Sequence, residues 1–460
     1  MSIANFAVAL DFLGVNVALP AIGRDLGGST GALQWVTTAY LLTLTTLLIP
    51  AGRAADLFGR SRTCMLGLVV FAAGSVVSAV SGTIDVLVLA RGVTGVGAAI
   101  LTATTLAIVS DAFPDHAVRG PAIGVWTAIG AVGSALGPPV AGVVTQEASW
   151  RWFLVFAVPL TGTALVFLIR RGLRDPERTG RGRSDSMDWT GAALMIAGVG
   201  ALVVVLLEGP NLGWSSTVVI GAATASVVAL GALVARERTA RHPLVQVARF
   251  RDRQFVTSSG VAFIANIAFV CVMFFMTLYL QQVRGLTPSE AGLVFLALSA
   301  ALVVGSPIAG RLVVRAGGAP VMAAGMALIT ASFVILGVVG IATGVAVVVS
   351  GLVLSGLGQA FVFDASNTTA LDAIDDSQAG AAAGLVSGAR QAGSLLGLAV
   401  AGSVFRLLEQ SAPAGASADR AFLDALEPTM LGVAVCCAAG VVVAMLGRAR
   451  PSRGPAHPAD

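Results

Sequence analysis

GPAIGVWTAIGAVGSALGPPVAG at 120–142 and GAAAGLVSGARQAGSLLGLAVAG at 380–402 align without a gap, and ten of their 23 positions are identical. At the same offset to within two residues, GRAADLFG (52–59) lies over GRLVVRAG (310–317), and one residue further out GVG (95–97) lies over GLG (356–358). Three separate segments that agree in order and offset mark an internal repeat. Around them the chain divides into fourteen apolar stretches of the roughly 20 residues that a bilayer-spanning helix needs. They run at 2–20, 33–51, 64–81, 85–108, 120–143, 152–169, 189–207, 217–234, 256–280, 290–311, 320–338, 345–369, 381–404 and 429–446. Spans one to six therefore repeat as spans nine to fourteen, and spans seven and eight, at 189–234, are an insertion between the halves.

This organisation predicts an all-α integral membrane protein of fourteen transmembrane helices, two six-helix halves in pseudo-repeat plus two inserted helices. Halves in parallel repeat with a solute path between them near the midplane are a common plan of secondary transporters. The expected units are a six-helix bundle over 1–170, a central segment over 171–253 with cytoplasmic loops and the two extra spans, and a second six-helix bundle over 254–447. A disordered cytoplasmic tail is expected over 448–460.

Composition agrees. Of 460 residues, 56% are hydrophobic and 11% charged, and the mean hydropathy is +0.88, whereas a soluble domain carries about 25% charged residues. The spans leave no room for a separate soluble domain. All 28 basic residues are arginine. A P-loop needs a lysine to reach nucleotide phosphates, so an intrinsic ATPase of that kind is excluded, as is lysine Schiff-base chemistry. With the N-terminus in the cytoplasm, inside loops and the tail hold 21 arginines and outside loops hold five: Arg24, Arg151, Arg284, Arg406 and Arg420. The positive-inside rule then sets both termini in the cytoplasm of a cell with this protein in its plasma (inner) membrane. It also accounts for the net charge of +4 without nucleic-acid binding. His116, His242 and His457 and Cys64, Cys271, Cys436 and Cys437 lack ligand spacing, so neither a metal site nor a disulfide framework is expected, and no cofactor. The first span opens almost at Met1 without a charged n-region or small-residue cleavage site, and reads as a membrane helix, not a signal peptide.

Charges within hydrocarbon are costly and mark function by default. Asp11, mid-span in LDFLGVNVALP (10–20), is the first candidate for a proton carrier, with a structural partner hydrogen-bonded to a neighbouring helix as the plainer alternative. Arg91, in ARGVTGVGAA on span four, stays charged at any ordinary pH and must be paired, hydrated or facing a cavity. The repeat places Asp364, opposite Ala103, inside span twelve, with Arg390, opposite Gly130 in span thirteen, as its expected countercharge; a part in proton coupling and a structural pair that satisfies itself stand equal for these two. In GRAADLFGRSR (52–62) Asp56 can cap or pair with a helix end and so act as a latch, or the arginines can serve orientation alone. The spacing of Gly133, Gly137 and Pro138 in GSALGPPVAG (133–142) gives a flat helix face and a kink. Among aromatic and polar residues, Phe12, Asn16, Trp126, Phe269 and Tyr279 are candidates to line a cavity, against the plainer reading of packing surface. Trp35, Trp150, Trp152, Trp189 and Trp214 sit near span ends as an interfacial belt.

With these residues the chain resembles the major facilitator superfamily, and within it the fourteen-helix drug:proton antiporter branch. LDFLGVNVALP is similar to the family's helix-one motif, GRAADLFGRSR to its loop between helices two and three, LARGVTGVGAA (89–99) to its helix-four arginine motif, and GSALGPPVAG to the helix-five motif of antiporters. WRWFLVFAVP (150–159) and LQQVRGLTPSEAG (280–292) are also similar to that branch. The resemblance implies that Asp11 carries the coupling proton with Arg91 assisting. It implies a latch of Asp56 and Arg60 between Gly52 and Gly59, and a helix-five interface shaped by Gly133, Gly137, Pro138 and Gly142. Two departures stand out: Val314 replaces the acid in the second-half loop, and Ala157 replaces the usual asparagine of the helix-six motif.

The expectation is a non-enzymatic, proton-coupled efflux transporter that exports amphipathic drugs or antibiotics by alternating access, working in the lipid bilayer as a monomer with protons and a small-molecule substrate as partners. The alternatives are a dedicated exporter of one self-made metabolite and, more distantly, a membrane enzyme or receptor. An intramembrane hydrolase would need a clustered nucleophile and base, and the three histidines fall in loops or tail.

Overall fold

The computed structural model describes residues 1–113, 116–171, 188–239, 252–372, 379–413 and 417–447. The tail at 448–460 and most of the long loops after spans six and eight lie outside them. Fourteen helices, each containing a stretch long and apolar enough to cross a membrane, account for nearly all of the described chain. They are α1 (Ser2–Leu26), α2 (Thr30–Phe58), α3 (Arg60–Ala79), α4 (Ile84–Ala112), α5 (His116–Glu147), α6 (Trp150–Arg171) and α7 (Trp189–Leu212), followed by α8 (Thr217–Thr239), α9 (Arg253–Leu278), α10 (Pro288–Ala316), α11 (Gly318–Gly337), α12 (Val345–Asp372), α13 (Ala379–Gln410) and α14 (Ala418–Leu446). A single π turn, Tyr279–Val283, prolongs α9. No strand occurs among the described residues. Several helices outrun their apolar spans, α2 continuing to Phe58, because the backbone ladder persists beyond the hydrocarbon.

Local chemistry sets the ends. Ser29 accepts from the Ala32 amide to start α2, and Thr287 with Glu290 forms a reciprocal capping box at α10, where Pro288 takes the first helical position. The tight α2–α3 turn passes through Gly59 at φ 99° and the α10–α11 turn through Gly317 at φ 82°. Both lie where a side chain is disfavoured, and the repeat aligns them.

The repeat recurs in the packing. In the first half α1 packs on α5 and α6, α4 on α2 and α3, and α3 on α6. In the second half α9 packs on α13 and α14, α12 on α10 and α11, and α11 on α14. Gly133 and Gly137 bring α5 against the α1 backbone at Phe6 and Leu10, and Gly393 and Gly397 bring α13 against α9 at Phe263 and Ile267. Gly95 and Gly97 let α4 approach Tyr40 and Phe71, while Gly356 and Gly358 let α12 approach Leu298 and Gly325. The halves meet reciprocally, α5 against α10 and α2 against α13.

Hydrogen bonds between the halves gather toward the end of the bundle where α1 finishes and α2 begins. Gln34 donates to the Leu398 carbonyl at 2.6 Å, Gln281 to the Val17 carbonyl at 2.8 Å, and the Ser289 amide to Gln146 Oε1 at 3.4 Å. Gly142 lies against the Pro288 carbonyl and Gly292 against that of Pro138. The described hydrogen bonds between the halves all lie at this end, where they seal the two bundles together. The inserted pair α7 and α8 stands beside this seal. Trp35 of α2 donates to Glu208 of α7 at 2.6 Å, and Ser403 of α13 donates to the Leu206 carbonyl, so α7 touches both halves. At its other end Asp188 caps α7 through the Gly191 amide and pairs with Arg236 of α8. The Arg236 hydrogen bond holds the Asp188 carboxyl below its ordinary value. Exposed apolar side chains such as Leu89, Val227 and Val435 cover the outside, as a lipid-facing surface requires.

Candidate functional site

Asp11 and Arg91, 80 residues apart, form a salt bridge inside the first half. Arg91 Nη1 donates to both carboxyl oxygens of Asp11 at 2.9 Å. Asp11 is 2% exposed and Arg91 0%. The pair exists because small residues bring four helices together. Gly137 lies against the Leu10 carbonyl and the Gly14 amide, pressing α5 onto α1 on either side of Asp11, while Gly95 admits α2 against α4 one turn from Arg91. Any side chain at these glycines would meet backbone atoms within 3 Å.

Tyr40 completes the site and was not among the expected residues. The Arg91 guanidinium stands 4.6 Å from its ring centroid, and the Phe12 ring stacks with it at a centroid separation of 6.0 Å. A guanidinium over an aromatic face gains cation–π attraction that strengthens away from water. Arg91 Nε and Nη2 and the Tyr40 hydroxyl are buried without a protein partner. The site is therefore rich in donors around one carboxylate, an arrangement that responds strongly to any change in that carboxylate's charge.

The other expected residues separate into distinct places. Asp56 and Arg60 do meet, at 3.1 Å, and Arg60 also forms two bonds to Asp111 at 2.7 and 2.8 Å. Asp111, at the end of α4, was not expected. This cluster clamps α2, α3 and α4 within one half and is about one-third exposed, so each pair contributes at most about 1 kcal/mol. Gly52 lies near Ala103 of α4 and Gly59 makes the α2–α3 turn. Val314 is exposed at the corresponding end of α10.

In the second half Asp364 and Arg390 do not pair. Arg390 Nη1 donates to Asn367 Oδ1 at 3.3 Å and Nη2 to Ser387 Oγ at 3.0 Å, with the guanidinium 4.3 Å from the Phe363 ring centroid. Asp364 instead faces Ser306 of α10. One residue along α12 is about 100° around the helix, enough to turn Asp364 toward α10 while Phe363 and Asn367 meet Arg390.

Of the cavity candidates, Asn16 and Tyr279 are structural ties. Asn16 Nδ2 donates to the Phe12 carbonyl and its Oδ1 accepts from Thr37, joining α1 to α2. Tyr279 is fully buried and donates to the Gly340 carbonyl at 2.9 Å. Phe12, Trp126 and Phe269 remain partly exposed, and the Trp126 carbonyl accepts from Asn5 of α1.

Comparison with known proteins supports the same assignment of fold. The family profile described as Major Facilitator Superfamily matches residues 1–398. The chain is 37% identical over 407 residues to the multidrug resistance protein Stp of Mycobacterium tuberculosis, covering 87% of this chain and 73% of that protein. It is 31% identical over 404 residues to the tetracenomycin C resistance and export protein of Streptomyces glaucescens, again covering 87% of this chain and 74% of that one. The crystal structure of a bacterial homolog to the human lysosomal transporter Spinster, inward-facing and unoccupied, superposes with a TM-score of 0.67 at 15% identity, over 98% of this chain and 97% of that one.

Proposed function

The chain belongs to the Major Facilitator Superfamily, and from that premise we propose that it is a proton-coupled antiporter, exporting amphipathic drug-like or antibiotic-like molecules across the plasma membrane. Family and relatives are transporters, not enzymes. The resistance and export named for the relatives support drug efflux as the task here. The single observation that carries proton coupling is the buried Asp11–Arg91 salt bridge at the contact of α1, α4 and α5.

With both termini in the cytoplasm, as the arginine distribution supports, the sealed end is the outer one, and this packing is the one that takes substrate from the cytoplasm. In this packing the salt bridge is closed and no proton is carried. Loading a proton onto Asp11 removes the carboxylate from its guanidinium, and breaking one side of a buried pair costs this packing several kcal/mol. A proton shifts a conformational equilibrium only through such a difference between two states. Helix α5 supplies the linkage: its residues Gly133 and Gly137 sit against α1 beside Asp11, and further along Pro138 and Gly142 sit against α10 of the other half. A change at Asp11 thus bears on the rod that closes the outer seal. Substrate binds between the halves from the cytoplasm, and proton arrival from outside accompanies its release. Asp364 is a second carboxyl for this cycle, and the Asp56–Arg60–Asp111 cluster is the latch that steadies the first half at the cytoplasmic surface. The units follow the repeat, bundles at 1–170 and 254–447 joined through 171–253, and the chain works as a monomer.

Reconstituted vesicles test the reading. Ethidium is expected to move against its own gradient while a pH difference is imposed and to stop when nigericin collapses that difference. Export that continues unchanged after nigericin contradicts proton coupling.

The seal gives a second expectation. A Cβ at position 142 would stand 2.3 Å from the Pro288 carbonyl oxygen, and overpacking of this kind costs about 1–3 kcal/mol. Gly142→Ala is expected to loosen the outer seal, raising the alkylation rate of a single cysteine at Val17 by roughly tenfold or more, in a background without the native cysteines. Gly124→Ala, where nothing lies within 4 Å, serves as the control and leaves that rate unchanged.

A further inference from the structure

Arg390 is a guanidinium in the membrane-spanning part of α13 whose partners are all neutral. Asn367, Ser387 and the Phe363 ring account for two of its five N–H donors and one face of its plane. No carboxylate pairs with it among the described residues, although intramembrane arginines normally find a countercharge or an aqueous cavity. The contrast with Arg91, sealed on Asp11 at 0% exposure, is direct: Arg390 is only part-buried.

The packing of α12 shows where this charge looks. α11 covers the face of Gly358, Phe361 and Val362 through Gly325. Gly305 places α10 over Leu357 and Ala360, and the hydrogen bond from Gln359 to the Ala265 carbonyl places α9 on the adjacent side. Phe363 and Asn367 fall on the face between α9 and α10, away from α11. That is the side of the second half that turns toward the first, since α9 touches α1 and α10 touches α5. Phe363 is 41% exposed there. The position repeated in the first half is Gly130, where a Cβ would stand 2.3 Å from the Asn5 side-chain amide, so the basic group belongs to one half only.

On the export reading given above, we propose that Arg390 is a specificity-determining residue that binds an anionic group, a carboxylate or phenolate, on substrates whose flat apolar body lies against Phe363. A guanidinium with free donors takes a planar carboxylate in the two-pronged geometry that lysine cannot reproduce. Asn367 and Ser387 hold the guanidinium in place without neutralising it. The protein is thereby equipped to export weak organic acids, a class that the carboxyls Asp11 and Asp364 would repel.

Fluorescein and rhodamine 123 share one ring system, the first an anion at neutral pH and the second a cation, and their export from reconstituted vesicles tests the proposal. Arg390→Gln is expected to raise the KM for fluorescein at least tenfold, the equivalent of about 1.4 kcal/mol and the lower end of what a hydrogen bond to a charged group contributes. Its export of rhodamine 123 stays within about twofold of wild type, which also shows that the variant folds. Arg390→Lys keeps the charge without the fork and falls between the two. Equal loss of both dyes in Arg390→Gln overturns the proposal, since a structural role predicts that result. Wild type that exports rhodamine 123 and not fluorescein also overturns it and leaves the export reading standing. Wild type that moves neither dye overturns the export reading, and this inference with it.

Discussion

Asp11→Asn is expected to abolish concentrative export while leaving the protein folded. Asparagine keeps the shape of the side chain and an oxygen to accept from Arg91 Nη1, which now lies 2.9 Å from both carboxyl oxygens, but it cannot take up and release a proton. Each pH unit across the membrane represents about 1.4 kcal/mol per proton. With two units imposed and one proton exchanged per substrate, wild type supports a concentration ratio of about 100, and Asp11→Asn none. Passive exchange of labelled for unlabelled substrate, which needs no proton, is expected to persist. A variant that lost this exchange as well would place Asp11 in the structure or the substrate site instead.

The largest effect on stability is expected at Arg91. Arg91→Leu leaves the Asp11 carboxylate buried at 2% exposure with no cation beside it, and removing one member of a buried pair costs about 3–5 kcal/mol. It also takes away the guanidinium over Tyr40. Replacing both members with apolar residues of similar volume is often neutral or stabilising. The double variant Asp11→Leu, Arg91→Leu is therefore expected to regain most of the thermal stability lost in Arg91→Leu while remaining unable to concentrate substrate. That divergence separates the two roles of the pair. Stability and coupling restored together in the double variant would contradict a proton-carrying Asp11.

Much of this molecule is legible before folding because the bilayer allows so few solutions: uninterrupted apolar runs must be helices, and a repeat of Gly133 and Gly137 as Gly393 and Gly397 predicts matched helix contacts, which the two halves display. Contacts between helices distant in sequence are less legible. Asp11 and Arg91 each announce themselves as charges in hydrocarbon, yet their meeting depends on the close approach of α1, α4 and α5. Tyr40 carried one signal, being one of only two tyrosines in the chain, but an aromatic residue in an apolar span rarely declares its partner. Asp111 lay near the end of an apolar run, 51 residues from Arg60, and only the finished bundle brings them together. For Asp364 and Arg390 the repeat aligned the register along the helices and not their rotation, so a pairing by position failed by one residue. Tyr279 fails for a related reason: its place near the end of a span fits a cavity or a seam equally well, and its hydroxyl finds the Gly340 carbonyl.

Proton movement itself is the most direct test of the account. Vesicles holding the protein and a trapped pH-sensitive dye, loaded with ethidium and diluted without any imposed pH difference, are expected to acidify inside as ethidium leaves through the wild-type protein, and to keep a constant internal pH with Asp11→Asn. Ethidium efflux through wild type without acidification, or acidification that persists in Asp11→Asn, would contradict exchange of substrate for a proton carried by Asp11.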